Sequence, residues 1–314
     1  MGECLIDFIS EQVTGTLILE GHPGGAPANA LAMASKLGCS TQMIAKVGSD
    51  AFGGFLIEQL KLANVGTAGM VKAEKQPTTL AIVSLDASGN RSFRFYRDQT
   101  ADVALDFYDI DKGILQNCRI FHFGSVSLTT EPARSATLQA VQAAKQAGAL
   151  ISYDPNLRIP LWEDLSLAKK IILQGMQLAD VVKLSGEELE FLTSADLKTG
   201  IESLFDEYKM KILAVTLGPG GCVCRMPQGY FTSKAYDVPC VDTTGAGDAF
   251  WGAILAGIIK TSEPVETWLS EQISDLLDFS NAAGSLATTK KGTIPAMPDE
   301  DQIRDCMNNI PRLS

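Results

Sequence analysis

Residues 242–248 read Asp-Thr-Thr-Gly-Ala-Gly-Asp, a run of small residues that closes on a carboxylate just where a helical apolar pattern (Phe250, Ile254, Leu255, Ile258) begins. Small side chains leave backbone N–H groups uncovered, and at a helix amino terminus those donors join the positive end of the helix dipole. The amides of Gly245, Ala246 and Gly247 are therefore predicted to form an anion site suited to a phosphoryl group, whose equatorial oxygens gain charge during transfer. Asp248 stands at the same point with two readings: a general base that takes the proton of an attacking hydroxyl, or a cap for the helix. No GxxxxGK[ST] loop accompanies it, and Gly218-Pro219-Gly220-Gly221 does not fit the GxGxxG dinucleotide fingerprint. Far upstream, Gly24-Gly25-Ala26-Pro27-Ala28-Asn29-Ala30 is a second glycine-rich turn into a helical pattern.

Such groups need strands and helices to hold them. The short apolar runs Thr41–Val47, Ile120–Phe123, Leu150–Asp154, Val181–Leu184 and Ile212–Leu217 are predicted as buried strands. Between them, Ala28–Leu37, Gly53–Ala63, Glu131–Ala147 and Ala249–Ile259 carry apolar residues at three- and four-residue spacing and are predicted as helices. Strand–helix alternation of this kind implies an α/β fold with a central, mostly parallel sheet flanked by helices, which gathers ligands at the carboxyl ends of its strands. Two segments break the rhythm, residues 8–21 and 67–100. In the second, Thr78–Leu85 and Arg91–Arg97 read as strands around an Asp86–Asn90 turn. They are expected to form a small projecting β-sheet, a lid over the crevice, interleaved with a core of residues 1–7, 22–66 and 101–314. Its exposed face is the expected contact of a homodimer.

The 314 residues carry a net charge of −11, with 46% hydrophobic and 20% charged residues, as in an ordinary globular protein. Without a Lys/Arg run there is no footprint for a nucleic-acid backbone, so no nucleic-acid partner is expected. Seven cysteines lack CxxC spacing, and with two histidines a His-based zinc site or a Ser-His-Asp triad is hard to assemble. No apolar run approaches the roughly 20 residues of a membrane span, and Glu3 and Asp7 stand where a signal peptide needs positive charge. The expected location is the cytoplasm, with no membrane partner.

The pairing of the two glycine-rich turns resembles the ribokinase-like sugar kinases, the PfkB family. Gly24–Val65, with Lys46-Val47-Gly48-Ser49-Asp50-Ala51-Phe52-Gly53, is similar to the family's first signature, and Asp242–Asp248 to its second. Asp154-Pro155-Asn156-Leu157-Arg158, Lys183-Leu184-Ser185-Gly186-Glu187-Glu188, Asn281-Ala282-Ala283-Gly284 and Lys290-Lys291-Gly292-Thr293-Ile294-Pro295 resemble fructokinases more narrowly. The resemblance implies an ATP-dependent sugar kinase with Asp248 as base. Asp7, at the end of the first strand, with Gly24, Gly25 and Asn29, would bind the sugar, and Arg97 from the lid and Arg158 would reach the sugar or the transferring phosphate. Glu188 would hold Mg²⁺ through water. Lys183, Ser185, Thr216, Gly218 and Gly221 would serve the nucleotide, with Asn281 near the adenine; Ser185 replaces the family's usual Asn. Asp242, Thr244, Ala287, Lys290 and Gly292 fall where relatives bind a monovalent cation such as K⁺. The stretch before Asp7 lacks most of the apolar residues of the family's first strand, so either the chain is trimmed there or that strand is brief. The alternatives are another ribokinase-like kinase, acting on 2-keto-3-deoxygluconate or ribose, and a non-catalytic fructokinase-like regulatory protein.

Overall fold

The computed structural model describes residues 1–13, 15–85, 91–261 and 263–314. The chain opens with β1 (Leu5–Val13), β2 (Thr16–Gly24), α1 (Ala26–Lys36), β3 (Gln42–Gly48), α2 (Ala51–Leu62) and β4 (Gly66–Ala73). There follow β5 (Leu80–Leu85), β6 (Arg91–Tyr96), α3 (Lys112–Asn117), β7 (Ile120–Gly124), α4 (Ala133–Gln146), β8 (Leu150–Asp154) and α5 (Leu165–Met176). The next elements are β9 (Val181–Ser185), α6 (Gly186–Thr193), α7 (Leu197–Tyr208), β10 (Ile212–Thr216), β11 (Cys222–Met226) and β12 (Gly229–Ser233). Helices α8 (Ala246–Lys260), α9 (Ser270–Ala287) and α10 (Glu300–Asn309) complete it.

The main sheet runs β12-β11-β10-β9-β8-β7, parallel from β7 to β10 and antiparallel at the β11 and β12 edge. Its central strands are apolar on both faces, because helices cover both. On one face α4 lays down Ala136, Ala140, Val141 and Ala144, in one cluster with Phe123 and Tyr153, whose rings stack at 4.4 Å. On the other, Phe250, Trp251, Ile254 and Leu255 of α8 pack over Val181, Ile212 and Ala214. Each such side chain contributes about 1.5–3 kcal/mol when fully buried, and Trp251 Nε1 also donates to Ser152 Oγ on β8 at 2.9 Å. This packing fixes the amino end of α8 against the carboxyl ends of β8, β9 and β10. Every predicted core strand and helix is present within a few residues of its expected bounds.

The small sheet differs from expectation in its borders. Its order is β2-β1-β5-β6, so it takes in Leu5–Asp7 and runs on to Gly24, beyond residues 8–21 on both sides. β4, which but for Gly66 falls in the expected lid range 67–100, instead pairs in parallel with β3. Strand character in a sequence does not say which edge a strand will join. Asp7 correspondingly lies within β1, opposite His22 and Ala81, and not at a strand's end. The residues ahead of β1 tie into the core, as the Met1 amine donates to His122 O (2.6 Å) and Gly2 N to Ile44 O (3.2 Å), joining β7 to β3, and Ile6 of β1 packs in one cluster with Ala28, Ala32 and Met43. The predicted Asp86–Asn90 turn lies outside the described residues. Among the described residues no helix is long and apolar enough to cross a membrane.

Candidate active site

A cavity of about 400 Å³ opens where the carboxyl ends of β8–β10, the start of α8 and the root of the small sheet meet. The structure brings Asp7, Gly25, Asn29, Arg158, Lys183, Ser185, Thr216, Gly218, Thr244, Gly245, Gly247 and Asp248 to its wall. A larger cavity of about 540 Å³, between β3, β7, α1 and α8, contains none of the candidate residues and is lined mainly by apolar groups.

The phosphate end is built around α8. Gly245 stands before its first turn at φ 82°, a left-handed conformation that favours glycine, and no side chain caps the helix. The turn is braced from outside, as Asp242 accepts from Thr244 N (2.8 Å) and Gly292 N (3.4 Å). Ala246 lies in the turn without lining the cavity, its amide directed at Thr243 O (3.3 Å). Behind Gly247 lies a cation: a Cβ on that glycine would sit 3.1 Å from Lys183 Nζ. Lys183 is buried and paired with Asp154 Oδ2 at 2.8 Å. Burial works against its charge, yet Asp154, Glu188 and Asp248 hold its pKa above the ordinary lysine range. An oxyanion at the turn therefore meets backbone donors in front and a fixed positive charge behind.

Asp248 does not cap its helix. Its Oδ2 accepts from Asn29 Nδ2 at 2.8 Å, which ties the second turn of the site to the first. Burial raises its pKa, opposed by Lys183, the Asn29 hydrogen bond and Arg158. That shift moves a carboxylate towards the working range of a general base. Asp7 is likewise raised by burial, to about 7, against the pull of Arg158. Gly24 lies beside it off the cavity wall, where any Cβ would run into the Asp7 carboxylate.

Several expected residues have other partners. Arg97 does not face the cavity: its Nε donates to Asp102 Oδ2 (2.6 Å), Nη1 to Thr129 Oγ1 (2.7 Å) and Nη2 to Val126 O (3.0 Å). A guanidinium bound on three nitrogens is a joint between β6 and the core, because planar donors are satisfied where they are buried. Glu188 is buried and forms a capping box at the start of α6: Oε2 accepts from Ser185 N (2.7 Å) and Oε1 from Leu157 N (2.6 Å). Its neighbour Glu187 lines the cavity instead. Asn281 turns its amide to Ser233 O and Cys222 Sγ, both 3.2 Å, and Gly221 at φ 84° packs against Ser233 O; neither reaches the cavity. Of the cation set, Asp242 and Gly292 meet through their hydrogen bond, Ala287 ends α9 and Lys290 is exposed. Among the described residues no three His, Cys, Asp or Glu side chains converge as metal ligands.

Residues without an expected role also enter the site, Asp154 and Glu3 among them. Asp154 supplies the counter-charge to Lys183, and its string Asp154–Arg158 was the available signal. Glu3 lines the cavity at 4% exposure, and its sequence neighbourhood carries no motif that marks it.

The family model described as "pfkB family carbohydrate kinase" matches residues 1–300. A fructokinase-2 of Zea mays is 42% identical over 318 residues, spanning 97% of this chain and 92% of that protein. A fructokinase from Xylella fastidiosa, solved with bound ATP, superposes with a TM-score of 0.91 at 32% identity, covering 98% of this chain and 96% of that one. A fructokinase from Vibrio cholerae O395, solved in its fructose, ADP and calcium ion bound form, gives 0.88 at 31% identity, with 98% and 97% covered. With a signature turn at either end of one cavity and a family match across nearly all its length, the chain belongs to the pfkB family of carbohydrate kinases.

Proposed function

We propose that this chain is a fructokinase, transferring the γ-phosphoryl group of ATP to the C6 hydroxyl of D-fructose with Asp248 as general base. The observation that carries the reading is the placement of Asp248, held by Asn29 on the sugar side and adjoining the Gly245–Gly247 turn on the phosphate side. Asp7, Gly25, Asn29 and Arg158 orient the sugar by its hydroxyls, since a polyol needs matched donors and acceptors. The C6 hydroxyl passes its proton to Asp248 as the oxygen attacks the γ-phosphorus, and the bond to the β,γ-bridging oxygen breaks to release ADP. Lys183 and the turn amides carry the charge that builds on the transferring group.

Mg²⁺ bound with the nucleotide supplies charge neutralisation of the phosphates. The nearby carboxylates fit it only at a distance: Asp154 is paired with Lys183 and both oxygens of Glu188 accept backbone amides. A cation that keeps its water and leans on the phosphates suits that surround. A monovalent cation such as K⁺ belongs, on this reading, beside the Asp242 turn, with Thr244, Gly292 and the carbonyls of Ala287 and Lys290. Loss of rate on replacing K⁺ by tetramethylammonium tests it.

Exposed Leu17, Ile18 and Leu19 on the edge strand β2 support a homodimer through the small sheet. A monomer mass by light scattering would oppose it. Seven unpaired thiols support a reducing, cytoplasmic location.

The deciding experiment measures ADP release with ATP and Mg²⁺ against fructose, glucose, ribose and 2-keto-3-deoxygluconate. Release that depends on fructose above the others is expected. Release with another sugar alone, or with none, would refute the assignment.

A further inference from the structure

We infer that Glu3 is a positioning residue for the sugar: it sets the Gly25–Ala26 turn, and through that turn Asn29, at the mouth of the Asp248 site. The inference rests on the fructokinase reading for its substrate, while the geometry it starts from is independent of that reading.

Glu3 grips the turn twice. Its side-chain Oε1 accepts from Ala26 N at 3.0 Å. Its backbone carbonyl packs so closely against Gly25 that a Cβ there would collide with it. Gly25 sits at φ 113° and stands immediately before α1 with no side-chain cap of its own, so Glu3, from the segment ahead of β1, fills the role of a cap. One turn on, Asn29 N donates to Gly25 O (3.0 Å), and Asn29 Nδ2 reaches Asp248 Oδ2 (2.8 Å). The line from Glu3 to the base thus passes through consecutive short contacts, and Glu3, Gly25, Ala26, Asn29 and Asp248 all line the same cavity.

A carboxyl in this place is otherwise costly. Glu3 is 4% exposed, and its Oε2 has no hydrogen-bond partner among the described residues. Burial raises its pKa to about 7; the Ala26 amide and Arg97 oppose that shift, and Asp102 adds to it. A buried polar atom left without a partner is disfavoured unless a role retains it. Below about pH 7 the carboxyl is mostly uncharged, and glutamine is a close mimic that keeps the acceptor for Ala26 N–H.

The test compares Glu3→Ala, Glu3→Asp and Glu3→Gln in fructose-dependent ADP release, with amide hydrogen exchange over Ala26–Asn29. The proposal expects Glu3→Ala and Glu3→Asp to raise the KM for fructose roughly tenfold, the size of one lost buried hydrogen bond. It expects a smaller fall in kcat, an unchanged KM for ATP, and faster exchange at Ala26–Asn29. Glu3→Gln should stay within about twofold of the parent, since it retains the bond. Unchanged fructose KM with unchanged exchange overturns it, as does a rise in both KM values together or a Gln variant as impaired as Ala. Should Glu3→Ala not fold, Glu3→Asp carries the same comparison. If the parent chain itself releases no ADP with fructose, the substrate reading fails, and exchange at Ala26–Asn29 still decides whether Glu3 holds the turn.

Discussion

Replacing Asp248 by Asn removes one proton acceptor and changes little else. Asn29 Nδ2 now donates to Asp248 Oδ2, and the amide oxygen of an asparagine can accept the same bond at the same 2.8 Å. No side-chain cap ties the carboxylate to a helix amide, because α8 begins at Ala246 behind an uncapped Gly245. Burial already disfavours the charge, so a neutral side chain removes a desolvation cost and the melting temperature should hold or rise. Loss of a general base removes about 10²–10⁴-fold in rate, or about 2.7–5.4 kcal/mol on the barrier at 1.36 kcal/mol per decade. The sign of the pH effect follows from the raised pKa. Only the ionised carboxylate accepts a proton, so parent turnover should fall as pH drops through a midpoint above the usual carboxylate range. The residual rate of Asp248→Asn should lack that limb. Coupled ADP release, fructose binding by calorimetry and thermal unfolding, all on one preparation, give the three readings needed. Turnover within tenfold of the parent at equal folded fraction, with the acidic limb retained, would refute the base assignment.

Three further outcomes are expected. Glu188→Gln keeps an acceptor for one of two backbone amides and strands the other, so it should lower stability by about 1–3 kcal/mol while the Mg²⁺ concentration dependence stays put; a raised Mg²⁺ requirement would return the residue to the metal. Asp7, raised to about 7, is protonated below that pH and charged above it, so the KM for fructose should fall as pH rises through about 7, and Asp7→Asn should flatten that profile. Hydrogen exchange at Arg91–Tyr96 should slow when fructose is added if the small sheet closes over the cavity; unchanged exchange at saturating sugar would oppose closure.

What could be read in advance follows from how local each determinant is. β8 and α8 announce themselves by an apolar run and a three-to-four periodicity, and the Gly245–Asp248 turn by its own composition, because each is decided by neighbours along the chain. The course of β1 is not, since Leu5–Val13 joins the small sheet through partners at Thr16–Gly24 and Leu80–Leu85. Side-chain partners are harder still. Arg97 and Glu188 belong to residue types that serve both sites and structure, and only the positions of Asp102, Thr129, Ser185 and Leu157 show which. Glu3 was invisible for the same reason, its partner being the amide of a residue 23 positions away.

The hydrogen bond from Asn29 to Asp248 joins residues 219 positions apart. On one side of it stand Glu3, Asp7 and Gly25, contributed by the opening stretch of the chain; on the other stand Lys183, Thr216 and the Gly245 turn. On the proposed reading, Arg158 apart, the residues that orient the sugar and those that serve phosphoryl transfer thus come from separate stretches of the sequence. A recombination or a drifting mutation in the codons for residues 3–29 can retune the acceptor while the donor half is inherited intact. New substrate preferences can then arise in such a lineage without reinventing the chemistry each time.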